Sequence, residues 1–485
     1  MKNQNRSKTN IIFILSDDQG AWAMGCAGNS EIKTPNLDRL AATGMRFENF
    51  YCTSPVCSPA RASILTGRIP SQHGIHDFIA GGGLGENAIE YLQGQPGYTD
   101  ILSCHGYVCA LSGKWHLGDN AKPQKGFSRW YAHQRGSGPY YDAPMIRDGE
   151  LMNEPGYITD KITDEALLYM DEFKDGDQPF YIGIHYTAPH GPFINNHPKE
   201  IVALYDDCPF ETCPQEPLHQ GHTELTQRVQ QNIRGNLQGY YAAITAMDIN
   251  IGRILDKLDT LGLRENTLIC FMSDNGFSCG QHGFWGKGNG TFPLNMYDSS
   301  VKVPAIFNHA GQIPEGIVCD ALVSQYDFMP TLLEYVGLQS PDADKLPGKS
   351  FLPLLQGKQM KINDSIIICD PVEKFPVVYD EYGPVRMIRN QNYKYVHRYP
   401  YGPHELYDLL QDPKEKTNLI NDPGRQDIVE DMKAQLDEWF LRYVKPELDG
   451  THEAVYGRGQ RTLAGPAGKG IQAFNKLKSV RETGV

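Results

Sequence analysis

The chain has 485 residues, 40% hydrophobic and 21% charged, which describes a globular protein with a large core and allows two domains, or one big α/β domain with an appendage. Its formal net charge of −13 excludes a dedicated nucleic-acid binder and weighs against gripping long polyanions, unless a local basic pocket overrides it. Residues 1–10 are polar and only 11–15 are continuously apolar, too short for a signal-peptide core or a membrane span. No membrane partner is expected, and the location is cytoplasmic, or periplasmic or secreted if a leader was trimmed. The eleven cysteines form no compact framework and read as mostly reduced and structural. Cys208 and Cys213, flanking Pro209, can pair or bind zinc, though no second cysteine pair or histidine stands at finger spacing.

The first predicted element is Ile11-Ile12-Phe13-Ile14-Leu15, an apolar run typical of a strand buried on both faces. It stops at Ser16-Asp17-Asp18. Two adjacent carboxylates repel unless a cation sits between them; the plain alternative is a solvated turn. Residues 34–40 read as a helix with Pro35 at its first position, ended by Gly44, and 45–51 lead into Cys57-Ser58-Pro59-Ala60-Arg61. Pro59 suits a first helical turn, Ser58 can cap it and Gly67 can close it. Cys57 is therefore expected just before a helix N-terminus, where outward N–H groups attract anions. Arg61, one turn along, adds a guanidinium able to hold an oxyanion with two parallel hydrogen bonds.

Residues 107–111 form the next strand and run into Gly113-Lys114-Trp115-His116-Leu117-Gly118, where Lys114 and His116, two apart, can face one side. Residues 119–160, rich in Gly, Pro, Tyr and Asp, read as long surface loops of the kind that shape a substrate mouth. Ile162, Ala166, Tyr169, Met170 and Phe173 mark an amphipathic helix. A strand at 180–185 ends in Thr187-Ala188-Pro189-His190-Gly191-Pro192, a constrained loop holding His190. Residues 195–235 show no period and read as an insertion. Tyr240, Ile244, Met247, Ile251, Ile254 and Leu258 trace a long helix, and the strand 266–272 finishes in Ser273-Asp274-Asn275-Gly276.

That ending repeats the pattern at 16–18, and open α/β sheets bind ligands at the carboxyl ends of their strands. Asp17, Asp18, Asp274 and Asn275 together are an all-oxygen ligand set that suits Ca²⁺ first and Mg²⁺ second, against zinc or copper. Polar, turn-rich sequence near 340–365 places a boundary between a catalytic domain, 1–360, and a C-terminal α+β unit, 361–485. The latter carries short strands at 365–369, 377–382, 385–389, 393–397 and 405–409, a helix at 425–443, and a Gly-rich basic tail after 450.

Several motifs occur in order. Cys57-x-Pro59-x-Arg61 with Leu65-Thr66-Gly67-Arg68, the hexapeptide 113–118, Pro189-His190, the tetrad above, His282-Gly283-Phe284-Trp285-Gly286-Lys287-Gly288 and the 346–355 run together resemble the type I sulfatases of the alkaline-phosphatase superfamily over residues 9–440. The resemblance implies a large mixed, mainly parallel sheet sandwiched by helices, plus a smaller C-terminal antiparallel sheet with a helix. It implies that a formylglycine-generating maturase converts Cys57 to an aldehyde during synthesis, and that its hydrate is the nucleophile. Asp17, Asp18, Asp274, Asn275 and position 57 would hold the metal. With the metal, Arg61 would polarise the attacking hydroxyl; Lys114, His190 and Lys287 would hold the sulfate, with His190 or Lys287 as proton donor, and His116 would take a proton to release it. Lys302 is the weaker basic candidate and reads as structural; His282 has no assigned role. The implied activity is hydrolysis of a sulfate monoester, of a small sulfated saccharide given the loops at 119–160 and 195–235. The alternatives are a phosphodiesterase or phosphonate monoester hydrolase of the same superfamily, and a non-catalytic sulfoglycan-binding protein with Cys57 unconverted.

Overall fold

The computed structural model describes residues 9–357, 360–363, 366–369, 376–468 and 470–475. Ten strands form the main sheet: β1 (Asn10–Ser16), β2 (Met45–Phe47), β3 (Val108–Gly113), β4 (Arg129–His133), β5 (Tyr141–Arg147), β6 (Glu150–Tyr157), β7 (Phe180–His185), β8 (Thr267–Ser273), β9 (Ala305–Asn308) and β10 (Ile317–Cys319). Their spatial order is β10-β2-β9-β8-β1-β7-β3-β4-β5-β6. The central run from β8 to β4 is parallel, and antiparallel strands flank it.

β1 explains the layering. Ile11, Phe13 and Leu15 enter one core, shared with Ile64 and Leu65 of α2 (Cys57–Thr66) and Phe328 and Met329 of α5 (Phe328–Tyr335). Ile12 and Ile14 enter the other, with α1 (Pro35–Ala42), α3 (Ile158–Phe173) and α4 (Ile233–Thr260). Every β1 residue is buried, as a central parallel strand between two helical layers requires. Each large apolar side chain so buried contributes about 1.5–3 kcal/mol. This is the expected mixed, mainly parallel sandwich.

Three segments differ from their sequence reading. Residues 119–160 are not only loops: they carry β4, β5 and β6, an edge whose exposed polar positions and whose Pro144 and Gly156 hide the two-residue period. Residues 195–235 hold short helices, Lys199–Val202 and Glu224–Gln230, and bury Tyr205, Phe210, Cys213 and Val229 against Tyr240 and Tyr241 of α4. α4 itself starts at Ile233, where the Asn232 side chain caps it by accepting the Gly235 N–H at 3.0 Å. Cys208 and Cys213 are free thiols turned to different partners, Glu31 and Tyr241.

The C-terminal sheet consists of antiparallel strands β11 (Val378–Tyr382), β12 (Val385–Arg389), β13 (Tyr393–Arg398) and β14 (Glu405–Asp408), covered by Met432, Leu436 and Phe440 of α6 (Gln426–Tyr443). The strand expected at 365–369 is present as Ile366–Cys369, with residue 365 outside the described residues. The third difference lies beyond α6. Residues 450–475 are not a tail but a strap: Gln460 is fully buried, its Oε1 accepts the His76 N–H at 2.9 Å, and its backbone pairs with Phe78 and Ala80. No helix among the described residues is long and apolar enough to cross a membrane.

Candidate active site

β1 and β8 are parallel neighbours with Ser16 opposite Ser273, so Asp17-Asp18 and Asp274-Asn275 leave the same sheet edge side by side. Asp18 takes a left-handed backbone (φ 67), a conformation costing about 1–2 kcal/mol outside glycine. Neighbours hold it there: the Asp18 N–H donates to Asp274 Oδ1 at 3.2 Å, and the Tyr240 hydroxyl donates to its carbonyl at 3.0 Å. Asp274 Oδ1 also accepts the Asn275 N–H at 2.8 Å, while Oδ2 accepts Arg61 Nε at 2.9 Å. The Asn275 amide donates to Asp18 Oδ1 at 2.8 Å and leaves its own Oδ1 buried without a partner. Gln325, which sequence reasoning missed, clips the strand end by donating to the carbonyls of Ser273 and Asp274 at 2.9 and 2.8 Å.

Cys57 is the first residue of α2 rather than the residue before it, and Val56 occupies the cap position in extended conformation. Ser58 does not cap. Its hydroxyl donates to the His116 carbonyl at 2.9 Å and accepts the Ile79 N–H at 3.0 Å, because the helix is enclosed on all sides and its polar groups are spent on neighbours. Gly67 closes the helix at φ 64, as expected.

Around Cys57 three cations meet three carboxylates. Lys287 Nζ lies 2.8 Å from Sγ and pairs with Asp18; Asp17 Oδ1 lies 3.4 Å from Sγ. Lys114 Nζ sits 2.5 Å from Asp17 Oδ2, Arg61 Nη2 lies 3.8 Å from the same oxygen, and His190 Nε2 is 3.7 Å from Asp18 Oδ2. Burial alone would raise both aspartates, but Lys114 at Asp17 and Lys287 at Asp18 override it and hold both below the usual carboxylate value. Burial opposes the Lys287 charge too, and Asp18 outweighs it, so this ammonium is held well above the usual lysine range. Burial, reinforced by Asp17, pushes the Cys57 thiol up to about 12.

His116 is neutral: burial and then Lys114 drive its pKa far down. Its Nε2–H donates to the Ile79 carbonyl at 3.0 Å, which leaves Nδ1 as a buried, unpartnered acceptor. Gly136 packs against the ring so closely that a Cβ there would lie 2.3 Å from it. The carbonyl that orients His116 belongs to the loop fastened by the 450–475 strap. Gln460→Ala is therefore expected to lower kcat between about tenfold and a hundredfold with KM little changed, measured by steady-state kinetics on any turned-over ester. An unaltered kcat would separate the strap from the site.

Asp18, Cys57, His116, His190 and Lys287 line a cleft of about 1020 Å³. Arg61 and Lys114 do not line it; they are buried and pair with Asp274 and Asp17. Lys302 pairs instead with Glu48 at 3.4 Å, and His282 stacks on Tyr297 with ring centroids 3.8 Å apart; both line a separate cavity of about 520 Å³.

Behind Lys114 and Arg61 lies His185, whose Nδ1 is 3.2 Å from the Lys114 carbonyl and whose pKa burial lowers to about 3. Between about pH 3 and 6.5 the unfolded chain binds a proton there that the folded chain does not, so stability from this site rises with pH across that window. In His185→Phe that dependence disappears. The stability difference between wild type and variant is expected to move against wild type by about 1.4 kcal/mol per unit as pH falls from 6.5, read from denaturant melts at pH 7.5, 6 and 5.

A family profile described as Sulfatase matches residues 9–338, and one described as N-sulphoglucosamine sulphohydrolase, C-terminal, matches 280–441. The chain is 28% identical to an N-acetylglucosamine-6-O-sulfatase of Bacteroides thetaiotaomicron over 95% of its own length and 91% of the relative's. It is 31% identical to the human N-acetylgalactosamine-6-sulfatase over 72% of its own length and 66% of the relative's. Among solved structures, one in complex with its substrate D-glucosamine-2-N,6-O-disulfate superposes with a TM-score of 0.75 at 26% identity, covering 91% of this chain and 99% of the other. A phosphonate monoester hydrolase of Agrobacterium radiobacter shares the fold, with a TM-score of 0.67 at 20% identity over 90% of this chain and 96% of the other.

Proposed function

This chain belongs to the sulfatase family, and we propose that it hydrolyses a sulfate monoester of a small saccharide in the cleft around position 57. The observation that carries the reading is the meeting of Cys57, Lys287 and Asp17 beside the side-chain oxygens of Asp18, Asp274 and Asn275.

A thiol pushed up to about 12 is a poor nucleophile at neutral pH. Oxidised to formylglycine and hydrated, position 57 would supply a hydroxyl nucleophile toward sulfur. Cys57 is buried in the folded chain, so the maturase that converts it would act before α2 packs.

The donor set fits a hard dication. Asp17, Asp18 and position 57 offer atoms within 4.8 Å of one another, Asp274 adds a carboxylate, and the orphaned Oδ1 of Asn275 lacks only a cation. These residues would hold Ca²⁺, or Mg²⁺ as second choice, which supplies Lewis-acid polarisation of an ester oxygen. The three carboxylates are already balanced by Arg61, Lys114 and Lys287, so a bound dication leaves the site net positive and receptive to an anionic ester.

The chain's own residues divide the remaining work. Lys287, held charged by Asp18, is a fixed positive contact for a nonbridging sulfate oxygen, and is too firmly protonated to serve well as an acid. That leaves His190, on the cleft wall, to protonate the leaving alcohol. His116, neutral and with Nδ1 unpartnered, would take up a proton from position 57. Arg61 and Lys114 are positioning residues that pair with Asp274 and Asp17 and fix their carboxylates.

The saccharide class follows from the relatives named for N-acetylglucosamine and N-acetylgalactosamine sulfates and from the glucosamine disulfate complex. The test is kcat/KM on a 6-sulfated hexosamine, on p-nitrophenyl sulfate and on a phenyl phosphonate monoester. The sulfated sugar is expected to lead. A large preference for the phosphorus ester would overturn the reading in favour of the phosphonate hydrolases that share the fold.

A further inference from the structure

The cleft around position 57 is lined as well by the loop at 134–137, which follows β4, and by the apolar side chains of Phe193, Ile194 and Leu225. Arg135 stands on this loop, exposed, in a cleft whose only carboxylate among the described residues is Asp18. Asp18 is already committed to Lys287 and Asn275. Among the described residues the Arg135 guanidinium has no hydrogen-bond or ion-pair partner, although the chain as a whole carries 58 acidic against 45 basic residues.

The backbone beneath it is fixed. The Arg135 N–H donates to His133 Nδ1 at 3.0 Å, the Gln134 N–H donates to the Pro144 carbonyl at 2.9 Å, and Asn120 Nδ2 donates to the Gln134 carbonyl at 2.9 Å. Gly136 lies flat on the His116 ring, tying this loop to the chemistry. With the backbone fixed, only the Arg135 side chain has to be ordered when an anion meets it, and its bidentate geometry suits carboxylate and sulfate alike.

We infer that Arg135 reads a second anionic group of the saccharide, a carboxylate or a further sulfate, so that the cleft selects polyanionic fragments over neutral sugars bearing one sulfate. This rests on the proposed sulfate-ester site, and the experiment separates the two.

Wild type, Arg135→Gln and Arg135→Lys are compared on three disaccharides carrying the same scissile sulfate: one otherwise neutral, one with a neighbouring uronate, one with a second sulfate. In wild type a dianionic substrate is expected to exceed the neutral one in kcat/KM. In Arg135→Gln that ratio should fall at least tenfold, through KM, and Arg135→Lys should recover part of it. The larger loss names the group, uronate or sulfate, and the wild-type ratio should shrink as ionic strength rises. A ratio unchanged in Arg135→Gln, or an equal loss on all three substrates, overturns the inference. No turnover of any sulfate ester by the wild type, with its aldehyde verified, overturns the sulfatase site itself.

Discussion

Cys57→Ala is expected to lower kcat/KM on a sulfate monoester by about 10⁴-fold or more, with the melting temperature within a few degrees of wild type. The size follows from what remains. Removing a nucleophile leaves only the acceleration due to binding and charge stabilisation, and losses of that order are usual. The small thermal effect follows from the side chain: Cys57 is buried against Lys287 and Asp17, whose stronger pairing with Asp18 and Lys114 survives its loss. Steady-state kinetics with a calorimetric melt checks both. Retained activity in this variant would mean that another group attacks, and the role given to position 57 would fail.

The second large effect concerns the four oxygen-bearing side chains. Asp274→Asn is expected to reduce kcat/KM by at least about 10³-fold, comparable with removal of a preorganised charge contact from an enclosed site. It also leaves Arg61 buried opposite a neutral amide, and breaking a buried pair in this way costs about 3–5 kcal/mol of stability. Asn275→Ala separates the two effects, since it keeps every charge pair while removing the orphaned Oδ1 together with the amide's hydrogen bonds to Asp18 Oδ1 and the Gly276 carbonyl. Chelated wild type should gain about 2.7 kcal/mol of stability at a Ca²⁺ concentration a hundredfold above its Kd. Asn275→Ala should require a higher concentration for the same gain, measured by thermal melts against added Ca²⁺. An Asn275→Ala titration that overlies wild type would remove this residue from the ligand set.

How much of this was legible in the sequence depends on where each signal resides. β1 and β8 announce themselves because a strand buried on both faces must be apolar throughout, and the acids that end them stand out against that run. The motif at 57–61 marks its helix through Pro59 and Gly67, although the cap falls on Val56, two residues before Ser58. β5 and β6 escape notice because an edge exposed on one face needs few apolar residues. The strap at 450–475 escapes for a different reason: it is held by Gln460 and by backbone pairing with 78–80, contacts about 380 residues apart in sequence that leave no periodic trace. Gln325 belongs to the same class: it acts on distant backbone, and only the folded chain shows what it faces.

The account turns on the chemical state of residue 57 beside its buried acids and cations. Mass spectrometry of the tryptic peptide spanning residues 47–61, from protein purified out of its own cells, reads that state directly. The account predicts the mass loss that marks conversion of the Cys57 thiol to an aldehyde, with Cys52 in the same peptide unchanged. An intact thiol at Cys57 in every copy of a protein that still hydrolyses sulfate esters would contradict it.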